Sequence, residues 1–148
     1  MIIISIADLS DADQIFDIFE KARGEMKYLP DIHTSEETHV FVTSLVISGG
    51  VLVAKEKGRV AGFIHAKDGW VNHLYIDPAF QNQGVGKVLL EEVKEQNPEG
   101  LYLWVFEENL GAIKFYEREG FRLIEKRDID HVDNEEHLPD RKYSWQKA

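Results

Sequence analysis

The sequence predicts an α+β fold, with a mixed, mostly antiparallel sheet flanked by four helices in the order β-α-α-β-β-β-α-β-α-β-β. Two observations predict it. Three strand-like segments follow one another in the middle of the chain with two-residue turns between them, which indicates an antiparallel meander. A helical segment opened by two glycines then joins two further strand-like segments, which indicates a parallel crossover. The length of 148 residues fits a single domain, 1–148.

The chain begins with a predicted strand followed by a helix. Residues 2–7 form a short apolar run of strand-forming residues without the positive segment of a signal peptide. Ser10 and Asp13 resemble a capping box, in which a serine side chain accepts a hydrogen bond from the first helical turn. Apolar residues at helical spacing follow, so residues 11–23 are predicted to form the first helix.

A second helix and a β-meander follow. Thr34 and Glu37 form another capping box, and the apolar stripe behind them ends at Gly49-Gly50. Asp68-Gly69 is a strong signal for a type I′ hairpin turn. The three predicted strands are rich in β-branched or aromatic residues and cover residues 51–56, 59–67 and 70–77.

The second half of the chain alternates helices and strands. The third helix carries an apolar face that begins at Val85 and is closed by Asn97-Pro98. Residues 101–106 are apolar on both faces, which predicts a strand buried in the centre of the sheet. Asn109 caps a fourth helix that ends at Gly120, a candidate for a left-handed C-cap. The last strands are predicted at 121–126 and 141–146, on either side of a polar, acidic loop.

Composition and charge exclude several classes of function. The formal net charge is −10, from 27 acidic and 17 basic side chains, so the chain repels a phosphate backbone and we expect no nucleic acid partner. No segment approaches the roughly 18 consecutive apolar residues of a membrane span, so we expect no membrane association. The absence of cysteine excludes disulfides, zinc–thiolate sites and cysteine nucleophiles, and a cytoplasmic location is expected.

The start of the third helix is a candidate anion site. Gly84 and Gly86 open this helix after a strand and a short loop, and Lys87 adds a positive charge. The first N–H groups of a helix lack internal partners and lie at the positive end of its dipole, and glycines allow a ligand to approach them. Because Leu89 stands where a dinucleotide fingerprint needs a small residue, a pyrophosphate site of another kind is indicated. A glycine-rich turn that only packs the helix on the sheet is the alternative.

Two motifs flank the strand at 101–106. Residues 81–86 read Gln-Asn-Gln-Gly-Val-Gly after a strand that ends in Asp-Pro, and residues 109–121 read Asn-Leu-Gly-Ala-Ile-Lys-Phe-Tyr-Glu-Arg-Glu-Gly-Phe. The first resembles the acetyl-CoA signature of the GNAT superfamily of N-acetyltransferases, Gln/Arg-x-x-Gly-x-Gly/Ala. The second matches that family's Asn-x-x-Ala-x-x-Phe-Tyr-x-x-x-Gly-Phe at every fixed position. The order of elements agrees over nearly the whole chain.

The resemblance implies a binding site for acetyl-CoA as co-substrate, without a metal. Backbone groups of residues 74–76 would pair with the pantetheine arm and the acetyl carbonyl. A bulge after residue 74 would splay this strand from 101–106 and open a cleft for the arm. Backbone N–H groups of residues 82–87 would hold the pyrophosphate. The implied cofactor-binding residues are Leu74, Tyr75, Ile76, Gln81, Asn82, Gln83, Gly84, Val85, Gly86, Lys87, Asn109 and Tyr116.

Tyr116 is the residue that the resemblance marks as catalytic. An amine that attacks the thioester carbonyl gives a tetrahedral oxyanion, which a strand N–H can stabilise. The thiolate that leaves needs a proton, which a positioned phenol can supply. The resemblance implies that Tyr116 faces the sulfur, and a core aromatic packed beside Phe115 is the alternative. Direct attack in a ternary complex, with no covalent enzyme intermediate, is the expected mechanism.

The acceptor is expected to be a primary amine, such as a protein lysine, a protein N-terminus or a polyamine-like metabolite. Asn72 lies two residues before Leu74 on the same predicted strand face, where it can hold a water molecule but cannot act as a base. Glu25 and His33 lie between the first two helices, a region that resembles the family's acceptor-binding edge. A histidine on a surface loop is the alternative for His33.

The remaining histidines and the rival function leave alternatives open. His65 and His73 fit packed strand residues as well as they fit ligands, and His131 and His137 could bind a metal only if the late acidic loop brought them together. That loop could steer a cationic acceptor, although a solvated loop is the simpler expectation. An exposed end strand could pair across a homodimer. The rival function is a non-catalytic acyl-CoA sensor, against which Tyr116 argues, because a pure binder needs no acid beside the sulfur.

Overall fold

The computed structural model describes residues 1–148 and contains the predicted order of strands and helices. Two short 3-10 turns, Leu9–Asp11 and Pro78–Phe80, lie between the main elements. The main elements are β1 (Ile2–Ile6), α1 (Ala12–Gly24), α2 (Ser35–Ser48), β2 (Val51–Glu56), β3 (Arg59–Lys67), β4 (Trp70–Ile76), α3 (Val85–Gln96), β5 (Leu101–Phe106), α4 (Leu110–Arg118), β6 (Arg122–Arg127) and β7 (Asp140–Trp145).

The strands form one seven-stranded sheet in the order β1-β2-β3-β4-β5-β7-β6. Every pair of neighbouring strands is antiparallel except β4 and β5, which are parallel and are connected through α3. The predicted α+β fold with a mixed, mostly antiparallel sheet and four helices is confirmed. The two edges of the sheet are β1 and β6. None of the helices combines the length and hydrophobicity that crossing a bilayer requires.

The helices bury the two faces of the sheet in separate apolar clusters. Val51 and Val53 of β2 pack with α1 and α2, whereas the alternate residues Leu52 and Ala54 pack with α3 and α4. A strand covered on both faces has no polar side, which explains why β2 and β3 read as continuous apolar runs. The pattern of β5 differs, because Leu101, Leu103 and Val105 are buried while its other face is partly exposed.

The expectation that β5 is buried on both faces is therefore wrong, although its central place in the sheet is confirmed. No helix covers the face that carries Tyr102, Trp104 and Phe106. The loop between β6 and β7 lies beside this face instead, and Asn134 and Glu136 of that loop line one cavity together with Trp104 and Phe106. On this face Trp104 and Phe106 belong to a cavity wall rather than to packed core.

Helix caps and turns agree with the sequence at most positions. The Thr34 hydroxyl accepts the Glu37 N–H (3.1 Å), and the Glu37 carboxylate accepts the Thr34 N–H (2.9 Å), which confirms this capping box. The predicted box at Ser10 and Asp13 is wrong. Asp8 and Asp11 form the box instead, two residues earlier, because a 3-10 turn precedes α1. Gly69 (φ 83°) and Gly120 (φ 94°) adopt the left-handed conformations predicted for a type I′ turn and a C-cap.

Candidate active site

A cleft opens between β4 and β5 because the two parallel strands pair at a single position. Trp70 is matched with Tyr102, and the Tyr102 N–H donates to the Gly69 carbonyl (2.8 Å), but no further pair follows. Beyond this point the edge of β4 that faces β5 has free backbone groups. The predicted splay of these two strands is thus present.

Alternate residues of β4 point their backbone N–H and C=O groups into the cleft. The Asp77 N–H donates to the Ala61 carbonyl of β3 (2.8 Å). Backbone groups alternate in direction along an antiparallel strand, so those of Tyr75 also point to β3, whereas those of Leu74 and Ile76 point into the cleft. The expected pairing of the Tyr75 backbone with the cofactor arm is corrected accordingly. Tyr75 contributes its side chain, which lines the cleft.

The bulge in β4 lies at Asn72 rather than after residue 74. The register runs without interruption from Gly62–Ile76 to His65–His73, then shifts by one residue, so Asn72 has no partner of its own. At such a bulge, the side chain of the extra residue no longer follows the alternation of side chains between the two faces of the sheet. The Asn72 amide lies 3.3 Å from the His65 ring nitrogen, so it does not share a face with Leu74 as predicted.

A large cavity of about 1060 Å³ occupies the cleft between the start of α3, the start of α4 and the end of β4. All of the predicted cofactor-binding residues line it except Gln83. The lining members of that set are Leu74, Tyr75, Ile76, Gln81, Asn82, Gly84, Val85, Gly86, Lys87, Asn109 and Tyr116.

The start of α3 presents unpaired N–H groups to this cavity. The first hydrogen bond at the helix start runs from the Val88 N–H to the Gly84 carbonyl (3.1 Å), which leaves the N–H groups of residues 85–87 free. No side chain caps this helix, and its first turn contains no acidic residue. Gly84 takes a left-handed conformation (φ 79°) that favours glycine. This arrangement suits an anion such as a pyrophosphate.

Asp77 fixes the loop that leads to α3. Its side chain is buried, where it accepts the Ala79 N–H (2.9 Å) and a hydrogen bond from Arg59 (3.1 Å). Pro78 supplies the first residue of the 3-10 turn. The Asp-Pro pair of the sequence motif therefore fixes the loop that precedes the anion site, and neither residue lines the cavity.

Asn109 caps α4 and faces the cavity at the same time. Its side-chain oxygen accepts the Ala112 N–H (3.2 Å), and its amide N–H groups are free for a ligand. About two turns further along α4, Tyr116 is 8% exposed and packs against Phe115 and Phe121.

Tyr116 lines two neighbouring cavities. A second cavity of about 280 Å³ adjoins the large one, and the residues that line both are Met26, Leu74, Tyr75, Asn109, Ala112 and Tyr116. Burial, followed by the nearby Tyr75 phenol, raises the pKa of Tyr116 well above its usual value. The phenol is therefore protonated throughout the neutral and mildly alkaline range, as a proton donor must be.

The small cavity extends from Tyr116 toward the loop between β6 and β7. Its far wall contains two ion pairs, one between Arg23 of α1 and Glu136 (2.9 Å) and one between Arg127 and Asp140 (2.6 Å). The Arg127 guanidinium also lies over the Trp104 ring, 3.7 Å from its centre. The full lining is completed by Met26, Val71, Asn72, His73, Val105, Phe106, Ala112 and Asn134.

His73 lines the small cavity within an aromatic cluster. Its ring packs against Phe19 (5.7 Å), Phe41 (5.5 Å) and Tyr75 (6.2 Å). Burial, with smaller contributions from His65 and Arg23, lowers the pKa of His73 to about 4. The ring is neutral at physiological pH, so His73 can accept a proton there, although only as a weak base.

The residues predicted for the acceptor are not brought together. Asn72 lines the small cavity and Glu25 lines the large one. His33 lies outside both, where its ring contacts the carboxylates of Glu37 and Glu135. Sequence reasoning missed several side chains of the small cavity, and no local motif marks them. These are Arg23, His73, Arg127, Glu136 and Asp140.

Comparison with known protein families identifies the family of this chain. The model of the acetyltransferase (GNAT) domain family matches residues 48–123, which include β4, both motifs and the start of β6. The chain belongs to the GNAT acetyltransferase family. The resemblance inferred from the two motifs is thereby confirmed, because both motifs lie within the matched residues.

Relatives of this GNAT domain include enzymes named for amine acceptors. Peptidyl-lysine N-acetyltransferase YiaC of Escherichia coli is 31% identical over 74 residues, which are 49% of this chain and 50% of that protein. Spermine/spermidine N(1)-acetyltransferase of Bacillus subtilis is 32% identical over 66 residues, 41% of this chain and 43% of that protein. The GNAT domain thus matches about half the length of these relatives or less.

Solved structures share the fold over nearly the whole GNAT domain. The solution structure of apo-form YjaB from Escherichia coli aligns with a TM-score of 0.81 and 24% identity, over 100% of this chain and 99% of that one. YncA from Salmonella typhimurium, solved with its cofactor acetyl-CoA, aligns with a TM-score of 0.72 and 19% identity, over 99% and 94%. At these identities the similarity establishes the fold alone.

Proposed function

We propose that this chain is an N-acetyltransferase that moves the acetyl group of acetyl-CoA to a primary amine. The observation that carries the proposal is that Tyr116 lines both a large and a small cavity. A two-substrate transfer needs one space for the donor, one for the acceptor, and a proton donor where they meet.

The large cavity suits the donor. The free N–H groups at the start of α3 would hold the pyrophosphate, with Lys87 nearby. The unpaired backbone groups of Leu74 and Ile76 would bond to the pantetheine arm, as a strand would. Asn109 would donate from its free amide N–H groups while its oxygen caps α4.

The small cavity suits the acceptor. Attack by a neutral amine on the thioester carbonyl forms the new C–N bond and a tetrahedral oxyanion, which a free N–H of β4 would stabilise. Collapse breaks the C–S bond, and Tyr116 would give its proton to the sulfur and then regain one from solvent. The amine nitrogen loses its own proton to water or to His73, and the product is an amide.

The class of acceptor rests on the small cavity and on the relatives. Relatives are named for peptidyl-lysine and for spermine or spermidine, which share a primary amine on a flexible alkyl chain. The same group in this chain's acceptor fits a cavity of about 280 Å³ that Tyr116 lines. We propose an alkylamine acceptor of this kind.

An acceptor screen tests the proposal against a non-catalytic sensor. Purified protein is incubated with acetyl-CoA and a panel of peptidyl lysines, polyamines and small amines, and released CoA is detected with a thiol reagent. The chain contains no cysteine, so the reagent reports CoA alone. CoA release that depends on an amine supports the transferase. Tight acetyl-CoA binding without release with any amine would support the sensor.

A further inference from the structure

The loop between β6 and β7 closes the small cavity with a carboxylate from outside the two sequence motifs. Glu136 lies in this acidic segment, yet its side chain is only 13% exposed and lines the cavity. Arg23 of α1 pairs with it at 2.9 Å across the cleft. Acidic side chains usually lie in solvent, where they keep a protein soluble. A largely shielded carboxylate at the acceptor end of the site therefore indicates a different role.

The two carboxylates of the small cavity differ in how fully their oxygens are used. Asp140 accepts from Nε (2.8 Å) and Nη2 (2.6 Å) of Arg127 and from the Asn134 amide (3.0 Å), so both its oxygens are engaged. Glu136 accepts one hydrogen bond through Oε2, from Arg23, and its Oε1 has no partner within the protein. Glu136 is thus the cavity carboxylate with acceptor capacity left.

Arg23 alone would oppose a cationic acceptor. An alkylamine with a pKa near 10.4 arrives as an ammonium ion and would meet the guanidinium of Arg23 in the cavity wall. Glu136 neutralises that guanidinium and keeps one oxygen free, so the pair can receive an ammonium where an unpaired arginine would repel it.

We propose that Glu136 is the acceptor-binding residue that recognises the ammonium group of an alkylamine through Oε1, while its Oε2 neutralises Arg23. This inference rests on the proposed function and names the chemistry that selects the acceptor. Glu135, the preceding residue, points away to His33 and takes no part.

The test measures binding of the acceptor rather than turnover. Nα-acetyl-lysine amide and spermidine are titrated calorimetrically into the protein saturated with CoA, with Nα-acetyl-norleucine amide as the uncharged analogue. Glu136→Gln removes the charge and leaves Arg23 unpaired, so we expect both ammonium ligands to bind roughly 10- to 100-fold more weakly, the range of a hydrogen bond to a charged group. Binding of the norleucine analogue should stay unchanged.

Two further variants distinguish recognition of the ammonium group by Glu136 from an ion pair that only holds the loop in place. Arg23→Gln breaks the same ion pair but leaves Glu136 available, so ammonium ligands should bind as tightly as in the wild type or more tightly. Glu135→Gln removes an equal charge one residue away and should leave affinity within about twofold. In the transferase assay the KM for the amine should follow these affinities while kcat changes less.

Several results would overturn the proposal. Equal weakening by Glu136→Gln and Arg23→Gln would mean that the pair only holds the loop. Equal weakening by Glu135→Gln would mean that long-range charge, not contact, attracts the amine. Failure of both ammonium ligands to bind wild-type protein would remove the acceptor role altogether. Ammonium binding that depends on Glu136 without CoA release from acetyl-CoA would keep this inference and reject catalysis.

Discussion

Trp70 and Tyr102 form the single backbone pair between β4 and β5, and the cleft begins immediately beyond them. The two rings also pack with their centres 5.4 Å apart, and the Lys142 ammonium lies 5.2 Å from the centre of each. The strands are therefore held together at one end and free at the other. This gives Leu74 and Ile76 backbone groups that a ligand can pair with, without any break in the rest of the sheet.

The anion site at α3 makes Gly86 a sharp probe. We expect Gly86→Asp to weaken acetyl-CoA binding by roughly 10- to 100-fold, because it places a negative charge beside the free N–H groups that would hold the pyrophosphate. Gly86→Ala is the matched control, since a Cβ there would lie 3.5 Å from the Phe115 ring, an ordinary packing distance. Calorimetry on both folded variants gives the comparison. Unchanged affinity in Gly86→Asp would remove this helix start from the donor site.

Features determined by neighbouring residues could be predicted from the sequence. The Thr34–Glu37 capping box, the Asp68-Gly69 turn and the start of α3 each depend on a few adjacent positions, and each is present as expected. The donor side of the cleft lies between two such local motifs. The sequence therefore predicts most of the residues that line the donor side.

The acceptor side depends on contacts between distant residues. Arg23 and Glu136 are 113 positions apart, and nothing near either one marks it as half of a cavity wall. The bulge at Asn72 likewise depends on the register with β3, which the sequence of β4 alone does not fix. The sequence predicts the apolar outer face of β5 to be core, because composition does not distinguish a cavity wall from packed interior.

The buried position of His73 predicts a loss of stability in mild acid. The pKa of His73 is about 4 in the folded protein against 6.5 when unperturbed, so between these pH values the unfolded chain binds the proton and the folded protein does not. Stability therefore falls as the pH decreases from about 6.5 toward 4. At about 1.4 kcal/mol per pKa unit the loss from this residue is roughly 3 kcal/mol.

The variant His73→Phe should flatten that part of the pH profile, because phenylalanine has no charge to acquire in the cluster with Phe19 and Phe41. Urea unfolding at pH 7, 5.5 and 4.5 provides the measurement. His137→Asn, on the exposed loop, serves as the control and should keep the wild-type slope. An unchanged slope in His73→Phe would show that His73 is solvated in the folded protein.

The acidic surface predicts a dependence of acceptor choice on salt. With a net charge of −10, the protein should favour cationic over neutral amines at low ionic strength. Added salt screens exposed charges beyond about 10 Å at 0.1 M, so the preference should shrink. Part of it should survive if Glu136 contacts the ammonium inside the cavity. Rates for a cationic and a neutral amine at low and high salt decide this, and a preference that disappears completely would assign it to the surface alone.

Tyr116, which lines both cavities, gives the most direct test of catalysis. Tyr116→Phe removes one oxygen and keeps the ring that packs against Phe115 and Phe121. If the phenol protonates the leaving thiolate, kcat should fall by roughly 10²- to 10⁴-fold while the dissociation constant of acetyl-CoA stays within a few-fold. Tyr102→Phe, at the closed end of the cleft and outside both cavities, is the matched control and should leave kcat unchanged.

The pH dependence of kcat distinguishes this acid from water. Burial raises the pKa of Tyr116 above its usual value, so wild-type kcat should show no loss from phenol ionisation below about pH 10. A thiol of pKa about 8.5 is already a fair leaving group, and water could protonate it unaided. In that case Tyr116→Phe would keep near-normal kcat with the best amine of the screen, at unchanged melting temperature. Such a result would reduce Tyr116 to a cleft-lining aromatic, whereas the expected loss would establish it as the general acid.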